Sequence, residues 1–543
     1  MRNKSNMNRT LRGLIVLSLG ILMLAAPFRI QGKQPARMTV SFQSDITTLD
    51  PAIGYDWQNW SIIKSIFDGL MDYKPGTTDL IPQLAKSYTV AEGGKTYTFI
   101  LRPDVKFHNG RVMTASDVKY SLERVLDPDT QSPGSGFYLG IVGAEEFNQG
   151  KQREVSGIKV IDAHRVSFTL VKPNAAFLHT LALNFAHVVP KEEVAKYGKD
   201  FGHHPVGTGA FAFKEWVLGQ RLVLVKNAHY YIRSQPKLDE LQFQIGIDPT
   251  VALLRLQRNE IDLLGDGIPS SRFVQVTKDP KLKKLIVEGD QLHTGYITIN
   301  TLVKPFDNVK VRQALNMAVN KERVIQVING RARPATQILP PLMPGYDSKY
   351  KGYGYNPEQA KALLAEAGLS KGFTTEMYVN NVDPNPRIAQ VIQQDLAAVG
   401  IKVELKTLAQ STVIEAGGTK GAAPLIWSGG MAWIADYPDP NNFFWPILAS
   451  ASAIPGGWNW AWYANEAIDK RAEAADAMAA PSQKAARDKA WGAIFTDIMK
   501  DAPWVPVFNE KRYVMHSGRV IGPDAIFVDP VHIPVHYEEV AVK

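Results

Sequence analysis

Strand-like and helix-like patterns alternate along most of this chain, which predicts an α/β protein with antiparallel additions. Two further observations set its scale and class. With 543 residues the chain exceeds one ordinary core, so two or more domains are expected. Its 45% hydrophobic and 21% charged residues are the balance of a globular protein with a sizeable core.

The N-terminus speaks about compartment. Arg2, Lys4, Arg9 and Arg12 precede an apolar run over residues 14–26, and a basic leader with so short a run reads as a signal peptide, residues 1–32. Pro27 follows the small pair Ala25-Ala26 and Gly32 closes a second acceptable site, so the cleavage point stays open, as does retention as an anchor. No second long apolar stretch follows, so the exported body is expected to lie outside the membrane. Residues 1–32 also hold five Arg/Lys and no acid, so the net charge of +8 falls to +3 without them. That gives no argument for nucleic acid. The absence of cysteine excludes disulfides, thiolate metal sites, a cysteine nucleophile and a lipid-modified N-terminal cysteine.

Residues 38–42 alternate as a strand with one exposed face does, and Leu49-Asp50-Pro51 turns the chain. Ile62, Ile66 and Leu70 share a helical face within 55–71, ending near Gly69. Residues 96–101 alternate again, and Asn109-Gly110 marks a hairpin-type turn. Thr114 with Asp117 resembles a capping box, after which Val118, Leu122 and Val125 make one stripe that stops before Pro128. Two strands are expected around Asp162-Ala163, and two more, 210–216 and 221–226, bent at Gly219. A strand over 241–247 precedes a helix over 251–256. Asn320 and Asn356 read as N-caps, the second with Pro357 at the first helical position and Gly368 as the stop. Ile388, Val391, Ile392 and Leu396 form a helical stripe closed by Gly400, followed by a strand over 401–405. Helices are expected at 465–479 and 482–500, on either side of Pro481.

One stretch stands apart. A short apolar run over 422–427 reads as a buried strand, and the following residues to Pro446 do not continue it. Pro438, Pro440 and Pro446 remove backbone donors and Asn441-Asn442 favours turns. The result is a loop carrying five aromatics and the acids Asp436 and Asp439. Flat apolar faces beside carboxylates suit an organic ligand with a cationic group; the alternative is a surface loop with its aromatics turned into the core.

Catalytic chemistry is sparse. There is no Gly-x-Ser-x-Gly elbow, no His-Glu-x-x-His pair and no phosphate-binding glycine loop. His203-His204 reads as a solvated loop rather than a metal site, and His532 and His536 would share a face if 531–537 form a strand. Asp436 and Asp439 as an acid–base pair would need a defined separation that spacing does not fix. The protein is expected not to be an enzyme, and no cofactor is expected.

Several segments together carry a resemblance. Leu101-Arg102-Pro103-Asp104-Val105-Lys106-Phe107-His108-Asn109-Gly110, continued by Thr114-Ala115-Ser116-Asp117-Val118-Lys119-Tyr120-Ser121, resembles the signature of extracellular solute-binding proteins of family 5, the dipeptide, oligopeptide and nickel receptors of ABC importers. Pro82 to Ser87, Pro205-Val206-Gly207-Thr208-Gly209-Ala210-Phe211, Asn259-Glu260-Ile261-Asp262 and Pro305 to Ala314 fit the same pattern, with Ala210 where proline is usual. The resemblance spans about residues 38–520.

It implies a two-lobed periplasmic-binding-protein fold of type II, cluster C-like, with an extra subdomain in the first lobe. Lobe 1 would comprise 38–78, 205–297 and 507–543, the extra subdomain 79–204, and lobe 2 298–506. The aromatic loop is similar to the family's ligand segment. That likeness implies that Asp436 takes the ligand's α-amino group, that Trp433 walls the pocket, and that Ala432, Ile434 and Tyr437 line it. Ala432 stands where glycine is common. The expected function is capture of a short peptide or similar amine-bearing solute and delivery to a membrane permease by a monomeric, extracytoplasmic protein. A nickel complex, an oligosaccharide or an opine is the alternative ligand. A chaperone of the envelope or a carboxylate-dependent hydrolase is the alternative class.

Overall fold

The computed structural model describes residues 35–429, 433–521, 526 and 535–543, and residues 36–543 form one unit. Among the described residues, three sheets of four or more strands carry the architecture.

The first sheet has the order Leu263–Leu264, Arg37–Phe42, Glu240–Ile245, Arg221–Lys226, Phe211–Val217. Arg37–Phe42 runs parallel to both of its neighbours, and the remaining pairs are antiparallel. Alternation in 38–42 predicts one exposed face, yet Thr39 and Ser41 are as buried as Met38 and Val40. A strand with parallel neighbours on both sides is covered on both faces. Ile62, Ile63 and Ile66 of helix Trp57–Ile66 join its buried cluster, as do Tyr537, Val540 and Val542 from the C-terminus.

Helix Trp57–Ile66 is shorter than its apolar spacing predicts: Phe67 is already extended, and Leu70 leads into the separate strand Met71–Tyr73. The cause lies elsewhere in the chain. Gly207 and Gly209 press against the Ile66 carbonyl, where a Cβ on either would collide with backbone. The Gly209 N–H donates to that carbonyl at 2.8 Å, and the buried Thr208 hydroxyl donates to Asp68 at 2.9 Å. The Gly-Thr-Gly element therefore works as a wedge that ends the helix.

The second sheet is antiparallel, with order Ala85–Ala91, Thr96–Leu101, Arg165–Thr169, Ile158–Asp162. After strand Thr96–Leu101, Gly110 makes the expected turn at φ +90°, outside the sheet. The box between Thr114 and Asp117 opens helix Ala115–Leu126, with the Thr114 N–H donating to Asp117 at 2.8 Å. Phe99, Phe168, Val118, Leu122 and Val125 share its core.

The third sheet has the order Ile286–Asp290, Trp504–Met515, His293–Ile299, Leu425–Trp427, Phe373–Asn380, Ile401–Leu408. Strand Ala332–Pro334 adds to Trp504–Met515, and Trp433–Ile434 adds to His293–Ile299. The expected strand over 422–427 shortens to Leu425–Trp427, because Gly421 (φ +72°) still belongs to the preceding turn. The alanine-rich helices are Glu466–Asp476 and Lys484–Asp501. Asn320 and Asn356 cap their helices, accepting from the N–H of Arg323 and Gln359 at 3.1 and 3.0 Å.

The chain passes from the first sheet to the third through 286–299 and returns through 504–516. These crossings are paired to one another from Ile286↔Met515 to Asp290↔Lys511. A further bridge, Leu263↔His516, ties the return strand to the edge of the first sheet.

Candidate ligand-binding site

The aromatic loop leaves strand Leu425–Trp427 beside the crossings. Ser428 donates to the Tyr296 carbonyl at 2.7 Å, and Gly429 lies so close to the Trp427 indole that a Cβ would collide with it. Ala432 lies outside the described residues. The prolines predict that no strand continues here, but Trp433–Ile434 does return as one, pairing with Thr294 and His293. Ala435 is buried and its N–H donates to the Leu292 carbonyl at 2.8 Å. The site loop is thus pinned to the first crossing at three successive residues.

Asp436 is 8% exposed and is held from two sides. Asn442 donates to its Oδ2 at 3.0 Å, while the Asn442 Oδ1 accepts from the Asp436 N–H at 3.0 Å and from the Trp433 indole N–H at 3.1 Å. One amide therefore fixes the carboxylate and the neighbouring indole together. The other carboxylate oxygen accepts from the Tyr55 hydroxyl at 2.7 Å, a contact between residues 381 apart in sequence. Tyr55 packs against Trp60 and Phe185, with ring centres 5.6 and 5.3 Å away. Burial and then the Asp436 charge push its phenol well above its ordinary value, so the hydroxyl stays a donor.

The loop's other members go elsewhere. Tyr437 is buried in the core of the second sheet's domain, its ring stacked 6.2 Å from His179 and edge-on to Phe137. Phe443 and Phe444 are fully buried, Trp433 is half-buried, and Ile434 is 38% exposed. The core reading of the aromatics thus holds for Tyr437, Phe443 and Phe444.

Asp439 is not near a second free carboxylate. It is 2% exposed and accepts a two-pronged pair from Arg487 at 2.7 and 2.8 Å. Arg487 also donates to Asp476 at 2.9 Å. Burial disfavours the charged form of Asp439, but the Arg487 charge and hydrogen bonds outweigh it and hold the carboxyl below its ordinary value. Asp476 is pushed up, by burial and by Asp439. A carboxylate so committed has no role as an acid–base partner of Asp436.

The histidine readings divide. His203 and His204 flank Asp200 at 2.8 and 3.3 Å and stack on Trp216 and Tyr197. His532 lies outside the described residues. His536 is buried against Glu538 at 2.9 Å and leads into the short turn Tyr537–Glu539 rather than a strand. Among the described residues no group of three or more His, Cys, Asp or Glu is placed to hold a metal ion. Within them, no helix is long and apolar enough to cross a membrane.

Two cavities adjoin the crossings. One of about 230 Å³ lies between Asp266 and Gly267 on the first-sheet side and residues 510–514 of the return strand. The other, about 190 Å³, is bounded by His293, Asn380, Asn385, Gly429 and Phe508. Arg331 and Glu510 line both. Tyr55, Asn442, Arg331 and Glu510 carry no recognisable motif, because what matters in them is a contact between distant segments.

Two mixed sheets bridged by paired crossings, with a carboxylate loop anchored at the bridge, define a solute-binding protein of the periplasmic type, cluster C. The structure of HbpA2 from Haemophilus parasuis superposes with a TM-score of 0.81 at 27% identity, covering 93% of this chain and all of that one. The glutathione-binding protein GsiB of Salmonella typhi is 31% identical over 89% of this chain and 91% of its own length. Di/tripeptide-binding protein 2 of Pseudomonas aeruginosa (strain UCBPP-PA14) is 32% identical over 94% and 96%. Residues 79–454 match the middle region of the bacterial extracellular solute-binding proteins, family 5, and the chain belongs to that family. It is the substrate-binding protein of an ABC importer, in a family of binders rather than enzymes.

Proposed function

We propose that this protein captures a short peptide in the cleft beside the paired crossings and delivers it to the permease of its importer. The observation that supports this reading is Asp436. It is a nearly buried carboxylate, fixed by Asn442, whose hydrogen bonds come only from neutral donors in its described surroundings. An ionised carboxylate has about four acceptor positions, so room remains for a ligand ammonium. The attraction strengthens as closure removes water and lowers the effective dielectric. Trp433 walls the same space, with Ile434 beside it on the same short strand. The names of two relatives support a small amine-bearing ligand: one is a glutathione-binding and the other a di/tripeptide-binding protein.

In this reading residues 38–78, 205–297 and 507–543 form one lobe, 79–204 its extra subdomain and 298–506 the second lobe. The 286–299 and 504–516 crossings act as the hinge. A ligand that prefers the closed arrangement shifts the population toward it, and the closed pair of lobes is what the permease meets. Residues 1–32 direct export, and the protein acts as a monomer outside the cytoplasmic membrane. Calorimetry with a tripeptide and its N-acetylated form tests the site. Preference for the free amine is expected; equal affinities would remove Asp436 as the amine anchor, and no binding of either would point to a non-peptide solute.

A further inference from the structure

We propose that the crevice between the body of the second sheet and helix Glu466–Asp476 is a second binding site, separate from the Asp436 cleft, for an organic cation with an aromatic body.

The crevice holds a cavity of about 830 Å³, several times larger than either cavity beside the crossings and within the range of small-molecule sites. Phe137, Leu139 and Phe177 line it from the second sheet's body. Tyr437, Trp445 and the end of helix Glu466–Asp476 line it from the other side. The two sides meet at its end, where the Ala175 N–H donates to the Asp476 carbonyl at 3.2 Å. An occupant therefore touches both.

This space is not a continuation of the Asp436 site. Asp436 turns to Tyr55, whereas Tyr437 turns into the core that floors the crevice. Phe185 stands between the two, with its ring centre 5.3 Å from Tyr55 and 6.0 Å from Phe137. Tyr55, Trp433, Asp436 and Asn442 are all absent from the cavity's lining.

The lining sets the sign of the ligand's charge. Glu145 and Glu473 stand exposed, one on each wall, and neither has a basic partner within 4.0 Å among the described residues. Asp476 adds a third carboxylate, within a cluster of two acids on one arginine. Exposed Lys172 is the base that opposes them among the described residues. Asn441 supplies an independent observation. It is 3% exposed, and its Nδ2 donates to both Asp476 oxygens at 3.3 Å. Its Oδ1 is left buried and without a partner among the described residues. An unpaired buried carbonyl oxygen costs free energy, which a ligand N–H recovers. The Trp445 indole N–H is already committed to Asp476 at 2.6 Å, so that ring offers the ligand its face rather than a donor. Acceptors and aromatic faces together are the complement of an ammonium on a flat apolar body.

The test is calorimetry with tryptamine and with indole-3-propionate, which carries a carboxylate in place of the ammonium. The proteins are wild type, Asp436→Ala, Glu473→Lys and Ala477→Trp, each checked for an unchanged melting profile. Wild type is expected to bind tryptamine with a Kd of about 1 mM or tighter and to prefer it over indole-3-propionate by about tenfold. Asp436→Ala should leave tryptamine affinity within about twofold, because the cleft is not its site. Ala477→Trp, which places a large ring in the cavity, should abolish binding. Glu473→Lys should weaken tryptamine several-fold and strengthen indole-3-propionate. Loss of tryptamine binding in Asp436→Ala with none in Ala477→Trp would place the amine in the cleft and overturn the proposal. Equal affinities of wild type for the two probes would overturn the cation preference, and no binding of tryptamine to folded wild type would overturn the site.

Discussion

Asp436 is a side chain whose value comes from what holds it. Asn442 fixes its orientation and Tyr55 satisfies one oxygen without neutralising it, so in the proposed reading the carboxylate is set for an ammonium before one arrives. Asp436→Ala is expected to cost about 2–5 kcal/mol of peptide binding, roughly 30- to 4,000-fold, because the ligand charge is left enclosed without a partner. Asp436→Asn should fail nearly as badly, since an amide carries no net charge. Asn442→Ala should weaken binding by about tenfold through misplacement of both Asp436 and Trp433, with no change in the preference for a free amine. Titration calorimetry on the three variants separates charge from positioning. A second buried acid makes a prediction about pH. Burial, opposed in part by the Thr208 hydrogen bond, pushes Asp68 up to about 7. Its native form therefore holds a proton that the unfolded chain, with an ordinary value near 4, releases. Where the native state binds more protons, stability falls as pH rises. Its contribution is complete below pH 4 and is lost as pH rises through about 7. Between pH 5 and 8 the wild type should lose about 2–3 kcal/mol that Asp68→Asn does not lose, read from urea melts at the two pH values.

At the scale of elements, the reliable signals were those whose physics is local. The capping box at Thr114 and Asp117, the caps at Asn320 and Asn356 and the turn at Gly110 are all present, because each needs only a few adjacent residues. Signals decided by distant contacts mislead. The helix from Trp57 stops at Ile66 because a glycine wedge from residue 207 onward occupies its last carbonyl. Alternation at 38–42 predicts an exposed face because nothing local reveals a second covering layer. The site loop was legible in part. Its acids and aromatics stood out, but spacing could not separate Asp436, facing Tyr55, from Asp439, committed to Arg487. The short turn Pro440–Phe443, capped by Asp439, carries Asn442 to the site, so the Asp439–Arg487–Asp476 cluster is the platform of the loop. Removing one partner of a buried ion pair costs about 3–5 kcal/mol, because the remaining charge is stranded. Arg487→Ala should lower unfolding stability by that amount, read by chemical denaturation, and Arg487→Met should be less harmful if Asp439 is changed to Asn with it.

At the scale of the molecule, the contact between Tyr55 and Asp436 joins the region of the first sheet to the loop of the third. If the paired crossings act as the proposed hinge, the two regions turn about a narrow line, and a bond placed away from that line has leverage on closure. A hydrogen bond to a charged group contributes about 1.5–3 kcal/mol when enclosed, and about 1 kcal/mol is reasonable where Tyr55 is half exposed. One kcal/mol changes a two-state population ratio about fivefold. Tyr55→Phe removes that bond and keeps the ring contacts with Trp60 and Phe185. The expected result is a larger radius of gyration for the empty variant than for the empty wild type, measured by small-angle scattering. Saturating peptide should bring both to the same compact radius, because the ligand then bridges the two regions itself. Affinity should fall by no more than about fivefold, since the ligand must supply only the closure energy that the phenol no longer provides. Identical radii for the two empty proteins would mean that the Tyr55 bond follows closure rather than favouring it. An unchanged radius on adding a tightly bound peptide would rule out hinge closure altogether.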